Sequence, residues 1–225
     1  MKKFQTIIAD PPWFFFFDRL KQSDVARGAE ANYKTMSISD IKSIPINEVS
    51  DPNGCVLGLW VPSSLLQEGL DVMKAWGFTH KQTYIWVKTK KDYFADIKSN
   101  ILKAVKSESS IKEAVLKSFE NVSLQDTLSF GMGHLFRQTH EICLIGINNT
   151  KIYKSLENRS QRSVSFSYNI RHSEKPQHLH DSLSKMFPNS NKLEIFARKN
   201  KQGWTCLGNE LCNGEDIVTS LKKII

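Results

Sequence analysis

Short apolar runs alternate with longer amphipathic stretches along this chain, so it reads as strands joined by helices. Thr6-Ile7-Ile8-Ala9 is a β-branched run suited to a buried strand, and Asp10-Pro11-Pro12 ends it because neither proline has an N–H for a ladder. Ser37, with Asp40 three residues on, caps a short helix that Pro45 stops. Asp51-Pro52-Asn53-Gly54 is a turn, and Cys55 to Val61 is a second buried strand. Ser64-Leu65-Leu66-Gln67 has the form of a capping box. The helix behind it is predicted to bury Leu66, Leu70 and Met73 and to end at Gly77. Thr83 to Val87 is a third strand, and strand, helix, strand in succession predicts a parallel crossover.

The second half continues the alternation after an interruption. Phe94, Ile97, Ile101 and Val105, then Ile111, Val115, Phe119 and Val122, follow helical spacing, so 90–128 reads as a helical insertion within one domain spanning 1–225. Its role is either target recognition or added stability. The glycine-rich run Ser129 to His134 lacks the lysine and hydroxyl residue of a phosphate loop and is read as a turn into a strand at Glu141 to Gly146. Asn148 to Arg171 is a polar, basic loop with a short strand at Val164 to Phe166. Pro176 sits at the first turn of a helix with Leu179, Leu183 and Met186 on its buried stripe. Leu193 to Ala197 and Trp204 to Leu207 are the last strands, and Asp216 to Ile225 is a terminal helix.

Composition narrows the class. Apolar residues at 40% and charged residues at 24% are ordinary for a globular protein. No stretch is long enough to span a bilayer and no signal-peptide pattern is present, so the expected location is cytoplasmic, without membrane contact. The net charge of +8 points to a polyanionic partner. Of the four cysteines, none forms a Cys-x-x-Cys pair; they read as free thiols in a reducing compartment, with no metal site or disulfide framework indicated.

The candidate chemistry sits at Asp10. A carboxylate held at the carboxyl end of a buried strand lies where open α/β sheets bind ligands. The amino group of adenine is a weak nucleophile because its lone pair is delocalised into the ring. A carboxylate and a backbone carbonyl, that of Pro11, accepting its two N–H protons would pull the nitrogen toward tetrahedral geometry and aim the lone pair at a methyl donor. Trp13 supplies a flat face on which a flipped-out base could stack. Phe14 to Phe17 divide between core and pocket in this reading, and Asp18 to Asn32 is a loop beside the site.

Asp10-Pro11-Pro12-Trp13 resembles the catalytic motif of the MT-A family of adenine-N6 methyltransferases, which includes the eukaryotic mRNA enzyme's catalytic subunit and bacterial and phage DNA enzymes. Tyr33-Lys34-Thr35-Met36-Ser37, Leu59-Trp60-Val61, Ile85-Trp86-Val87-Lys88-Thr89, His172-Ser173-Glu174-Lys175-Pro176, Glu194-Ile195-Phe196-Ala197-Arg198 and Trp204-Thr205-Cys206-Leu207-Gly208-Asn209-Glu210 look like family blocks in family order. The resemblance implies a Rossmann-like α/β fold, a mostly parallel sheet with helices on both faces, and a permuted order with the catalytic motif first. It implies S-adenosyl-L-methionine as cofactor, held by Asp10, Lys175, Arg198, Asn200, Asn209 and Glu210. No metal is implied. Asp10, Pro11, Pro12 and Trp13 would be catalytic, and Trp13 or Tyr33 would stack on the base. Lys154, Arg159 and Arg162 are candidates for phosphate contacts. The expected partner is nucleic acid, DNA before RNA, bound by a monomer or dimer. The alternatives are an RNA adenosine methyltransferase and a catalytically silent nucleic-acid-binding subunit; an enzyme acting on a protein side-chain amide would carry asparagine where Asp10 stands.

Overall fold

All four residues of β1 (Thr6–Ala9) are buried, as its apolar run requires. The computed structural model describes residues 2–14, 35–92, 95–107, 110, 111, 113, 116, 123–131, 135–169, 174–211 and 215–224. After β1 come α1 (Ile38–Ser43), α2 (Ile46–Val49), β2 (Val56–Val61), α3 (Leu66–Ala75), β3 (Thr79–Thr89), α4 (Ala95–Ser107), β4 (His140–Ile147) and β5 (Val164–Tyr168). They are followed by α5 (His178–Met186), β6 (Lys192–Ile195), β7 (Thr205–Leu207) and α6 (Ile217–Lys222). The chain divides into two compact units. The larger comprises Met1–Tyr84, Ile142–Ser163 and His178–Ile225, and the smaller Ile85–Glu141 and Val164–Gln177.

In the larger unit the strands run in the order β4-β2-β1-β6-β7. β1 lies parallel to β2 on one side and to β6 on the other, and β6 is parallel to β7. The β2–β4 pairing is antiparallel, Val61 opposite Ile142. Strand alternation sends Ile7, Leu57, Leu59, Leu193 and Ile195 into one core with Ile41, Val72, Met73, Trp76 and Leu221 of the helices. Gly58, between Leu57 and Leu59, faces the other way, and a Cβ there would meet Leu179 of α5 at 3.5 Å. Helices therefore cover both faces of a mostly parallel sheet, the Rossmann-like α/β arrangement.

Local signals explain most of these elements. Ser37 caps α1, its hydroxyl accepting from the Asp40 amide at 3.1 Å. The Ser64 capping box does not form: Ser63–Leu65 is a single 3-10 turn and α3 starts without a side-chain cap. Of the expected face, Met73 is buried and Leu70 packs partly buried against the core, while Leu66 is 43% exposed; Gly69, Val72 and Trp76 complete the buried side. Trp76, which follows α3, donates its indole N–H to the Ile41 carbonyl at 3.0 Å and so joins α3 to α1. Among the described residues no helix is long and apolar enough to cross a membrane.

In the smaller unit the end of β3 pairs in parallel with β5, from Ile85 opposite Val164 to Thr89 opposite Tyr168. Trp86 donates its indole N–H to the Ser167 carbonyl at 3.1 Å. α4 lies within the expected insertion, with Leu102 and Val105 exposed. Most of the second expected helix, 111–122, lies outside the described residues.

Candidate active site

The motif after β1 is fixed by its own backbone. Trp13 donates its N–H to the Pro11 carbonyl at 2.9 Å, and Met36 donates to the Pro12 carbonyl at 2.8 Å. A carbonyl oxygen has two lone pairs, so Pro11 keeps capacity for one more donor after the Trp13 bond. Asp10 is half-buried and Pro11 buried. Trp13 differs from its expected role. Its ring is 4% exposed within the core, and its indole N–H donates to the Trp60 carbonyl at 2.9 Å. The indole therefore joins the end of β1 to β2 and presents no open face. Tyr33 and Phe15 to Phe17 lie outside the described residues, as do His134, Arg171, His172, Ser173 and Cys212.

Three parallel strands end level with one another. Ala9 lies opposite Ile195, and Ile195 opposite Leu207. Asp10, Phe196 and Gly208 are thus the first residues past adjacent carboxyl ends, and the residues expected to hold the cofactor follow directly. Arg198 Nε lies 3.4 Å from Glu210 Oε1, both groups partly exposed, while Asn200 and Asn209 are exposed. A Cβ at position 208 would fall 2.1 Å from the Ala197 carbonyl oxygen, so glycine is required for the two segments to touch.

Behind this rim lies a charged cluster that the apolar pattern did not signal. His180 on α5 is 1% exposed, its Nε2 3.0 Å from Glu194 Oε2 on β6. Lys201 Nζ lies 3.2 Å from that same Oε2. It also lies 2.8 and 3.1 Å from the two imidazole nitrogens. A neutral ring with its proton on Nε2 donates to Glu194 and accepts from Lys201. Burial pushes the His180 imidazole down, with Lys201 adding to the shift against the pull of Glu194. Burial alone would raise Glu194, but His180 and Lys201 overcome it and hold the carboxyl below its usual range.

In the smaller unit Lys175 is paired with Glu141, Nζ to Oε2 at 3.2 Å, and Lys88 takes the other oxygen at 2.6 Å. Burial would raise Glu141, and the two lysines instead hold it low. Its partners sit far apart in sequence, so no motif announced it. In the larger unit Lys154, Arg159 and Arg162 are all exposed. The loop bearing them is fastened, with Glu157 N–H donating to the Met186 carbonyl at 2.9 Å and Asn158 Oδ1 accepting from the Ser160 amide at 3.0 Å.

This chain matches the MT-A70 family over residues 4–123 and 118–210. A protein of Oryza sativa subsp. japonica described as a probable N(6)-adenosine-methyltransferase MT-A70-like is 26% identical over 220 residues, covering 96% of this chain and 24% of the relative. The type II methyltransferase M.MunI of Mycoplasma sp is 22% identical over 224 residues, covering 93% of this chain and 78% of that protein. The human N(6)-adenosine-methyltransferase catalytic subunit METTL3 is 22% identical over 212 residues, 93% of this chain and 28% of its own length. The chain thus spans about a quarter of the length of the plant and human relatives.

Proposed function

The chain belongs to the MT-A70 family, and we propose that it is an adenine-N6 methyltransferase acting on DNA, with the target base at Asp10-Pro11-Pro12-Trp13. The observation that carries the reading is the level ending of β1, β6 and β7, which puts Asp10 beside the Phe196–Arg198 and Gly208–Glu210 segments at one rim of the sheet.

MT-A70 methyltransferases use S-adenosylmethionine as methyl donor, which when bound supplies an electrophilic methyl group on sulfur. The polar groups at the rim of the larger unit suit the ribose of that molecule. Glu210 and Asn209 offer acceptors and an amide for a ribose diol, with Arg198 and Asn200 on the neighbouring segment. Lys175 and Lys88 face the single carboxylate of Glu141, so the three groups carry a net positive charge suited to a carboxylate ligand. Asp10 and the Pro11 carbonyl accept the two amine N–H groups; the Trp13 bond holds that carbonyl still, and the Met36 bond does the same for the neighbouring Pro12 carbonyl. The contribution is orientation more than acid–base work. With the Trp13 ring closed into the core, stacking on the base falls to Tyr33, three positions before Met36. Lys154, Arg159 and Arg162 are the proposed phosphate contacts. The family match runs through both compact units, which supports a single methyltransferase domain.

The match to most of the length of a type II methyltransferase favours DNA. The plant and human N(6)-adenosine-methyltransferases favour RNA as the second reading. Incubating the protein with labelled S-adenosylmethionine and either duplex DNA or RNA, then analysing nucleosides, decides between them. Label in N6-methyladenine from DNA is expected; label from RNA alone, or none, overturns the reading.

A further inference from the structure

The segment between β6 and β7 is fastened at both ends. At its start Phe196 adopts φ +63, and Ala197 donates its N–H to the Leu207 carbonyl at 2.9 Å. At its end Trp204 donates to the Lys201 carbonyl at 3.1 Å, closing a turn that has Gly203 at φ +77. The side chains at both corners of that turn rest on His180. Lys201 Nζ is 3.1 Å from its Nδ1, and the Trp204 ring meets it edge-on at 4.9 Å between centroids. Trp204 is itself held by Ser184, its indole N–H to Oγ at 3.2 Å. Arg198, Lys199 and Asn200 form the span between these two fixed points.

Lys201 is the anomaly. Lys199, Asn200 and Gln202 around it are exposed, as loop residues normally are, yet its own side chain is 10% exposed. Taking an ammonium out of water on a surface loop is unfavourable unless it gains good partners, and Glu194 and His180 supply them. Cys206 and Asp181 are the remaining titratable groups that bear on Glu194 and His180, and Lys199 the remaining charge that bears on Lys201. We propose that Lys201, His180 and Glu194 are positioning residues for the methyl donor, a buried charged anchor that sets the Arg198–Asn200 span in place before the donor binds. The inference rests on the reading of Arg198 and Asn200 as donor-binding residues. Its function is preorganisation: the loop is ordered during folding, so the ligand does not have to order it.

Calorimetric titration with S-adenosylhomocysteine, steady-state kinetics and amide hydrogen exchange test this together. Lys201→Met is expected to weaken binding about ten-fold, as when the competent loop is populated a tenth of the time. Its kcat at saturating donor should stay within about two-fold of wild type, since no group at the reacting atoms has changed. Lys201→Arg should restore most of the affinity. In the donor-free wild type the amides of Ala197 and Trp204, bonded to the Leu207 and Lys201 carbonyls, should already be protected, and the His180 titration followed by NMR should rise in Lys201→Met as the neighbouring cation is lost. Wild-type affinity in Lys201→Met, or loss of kcat without loss of affinity, overturns the proposal. So does unprotected exchange of the Ala197 and Trp204 amides in donor-free wild type, which decides the matter even if Lys201→Met does not fold. If wild type fails to bind the probe, or Arg198→Ala binds it normally, the donor reading itself fails and the anchor's role falls with it.

Discussion

The indole N–H of Trp13 is bonded to the backbone carbonyl of Trp60 at 2.9 Å, which ties the last residue of the Asp10-Pro11-Pro12-Trp13 motif to the end of the neighbouring strand β2. The motif is thereby braced by tryptophan packing as well as by its prolines. Trp13→Ala is expected to destabilise the protein by about 3–5 kcal/mol, the usual loss for a large buried aromatic. Trp13→Phe keeps most of the packing and loses one hydrogen bond, for about 1 kcal/mol. Urea unfolding followed in both variants checks the order. If Trp13→Ala is as stable as wild type yet inactive, the ring acts directly on the base.

Asp10→Asn should fold normally and lose methyl transfer. The amide keeps the size of the carboxylate but has one fewer accepting oxygen and no charge, so it cannot polarise the amine in the same way. A fall of at least about a hundred-fold in kcat is expected, in the range for removing one electrostatic stabiliser. Retention of a substantial part of the activity would remove Asp10 from the mechanism.

The fold and the rim of the site were legible because both depend on local signals. Apolar runs mark β1 and β2, Ser37 marks the start of α1, and Asp10-Pro11-Pro12 marks a strand end. What stayed hidden depends on distant partners. Trp13 looked like an open aromatic face until Trp60, 47 positions away, took up its N–H. His180, Glu194 and Lys201 follow no apolar period, and only the parallel pairing of β1, β6 and β7 together with the packing of α5 brings them together. On α3 the stripe read from Leu66 to Met73 held at Met73 and in part at Leu70, and failed at Leu66 in the first turn.

Stability should fall on acidification in two stages. The His180 imidazole is held below its ordinary value of 6.5, by burial first, so the unfolded chain binds its proton more readily than the folded one. Its contribution is complete above 6.5 and is lost as pH falls through the lower folded value. Glu194 and Glu141 are held below the ordinary carboxyl value of 4.5, so their contributions are lost at still lower pH. Each proton taken up on unfolding adds at most about 1.4 kcal/mol per pH unit to the slope. Denaturant midpoints measured from pH 8 to pH 4 should show the upper stage in wild type and its absence in His180→Phe. A flat profile above pH 5 in wild type would contradict the buried neutral histidine.

Nucleic-acid binding should separate into a salt-dependent and a salt-independent part. Lys154, Arg159 and Arg162 are exposed on a segment fastened through Glu157 and Asn158, so their charges are carried on an ordered support. Each phosphate contact releases condensed counterion, and neutralising one of these cations should lower the slope of log K against log salt by about one unit on duplex DNA. The loss should be similar on all sequences, because phosphates carry no sequence information. Tyr33→Ala should leave the slope unchanged and reduce turnover instead, since stacking on an extruded base contributes about 1–3 kcal/mol without displacing ions. Binding and turnover measured across one salt series distinguish the two classes. If Tyr33→Ala alters the slope while the three cation variants do not, the backbone of the nucleic acid runs past Tyr33 rather than along the fastened loop.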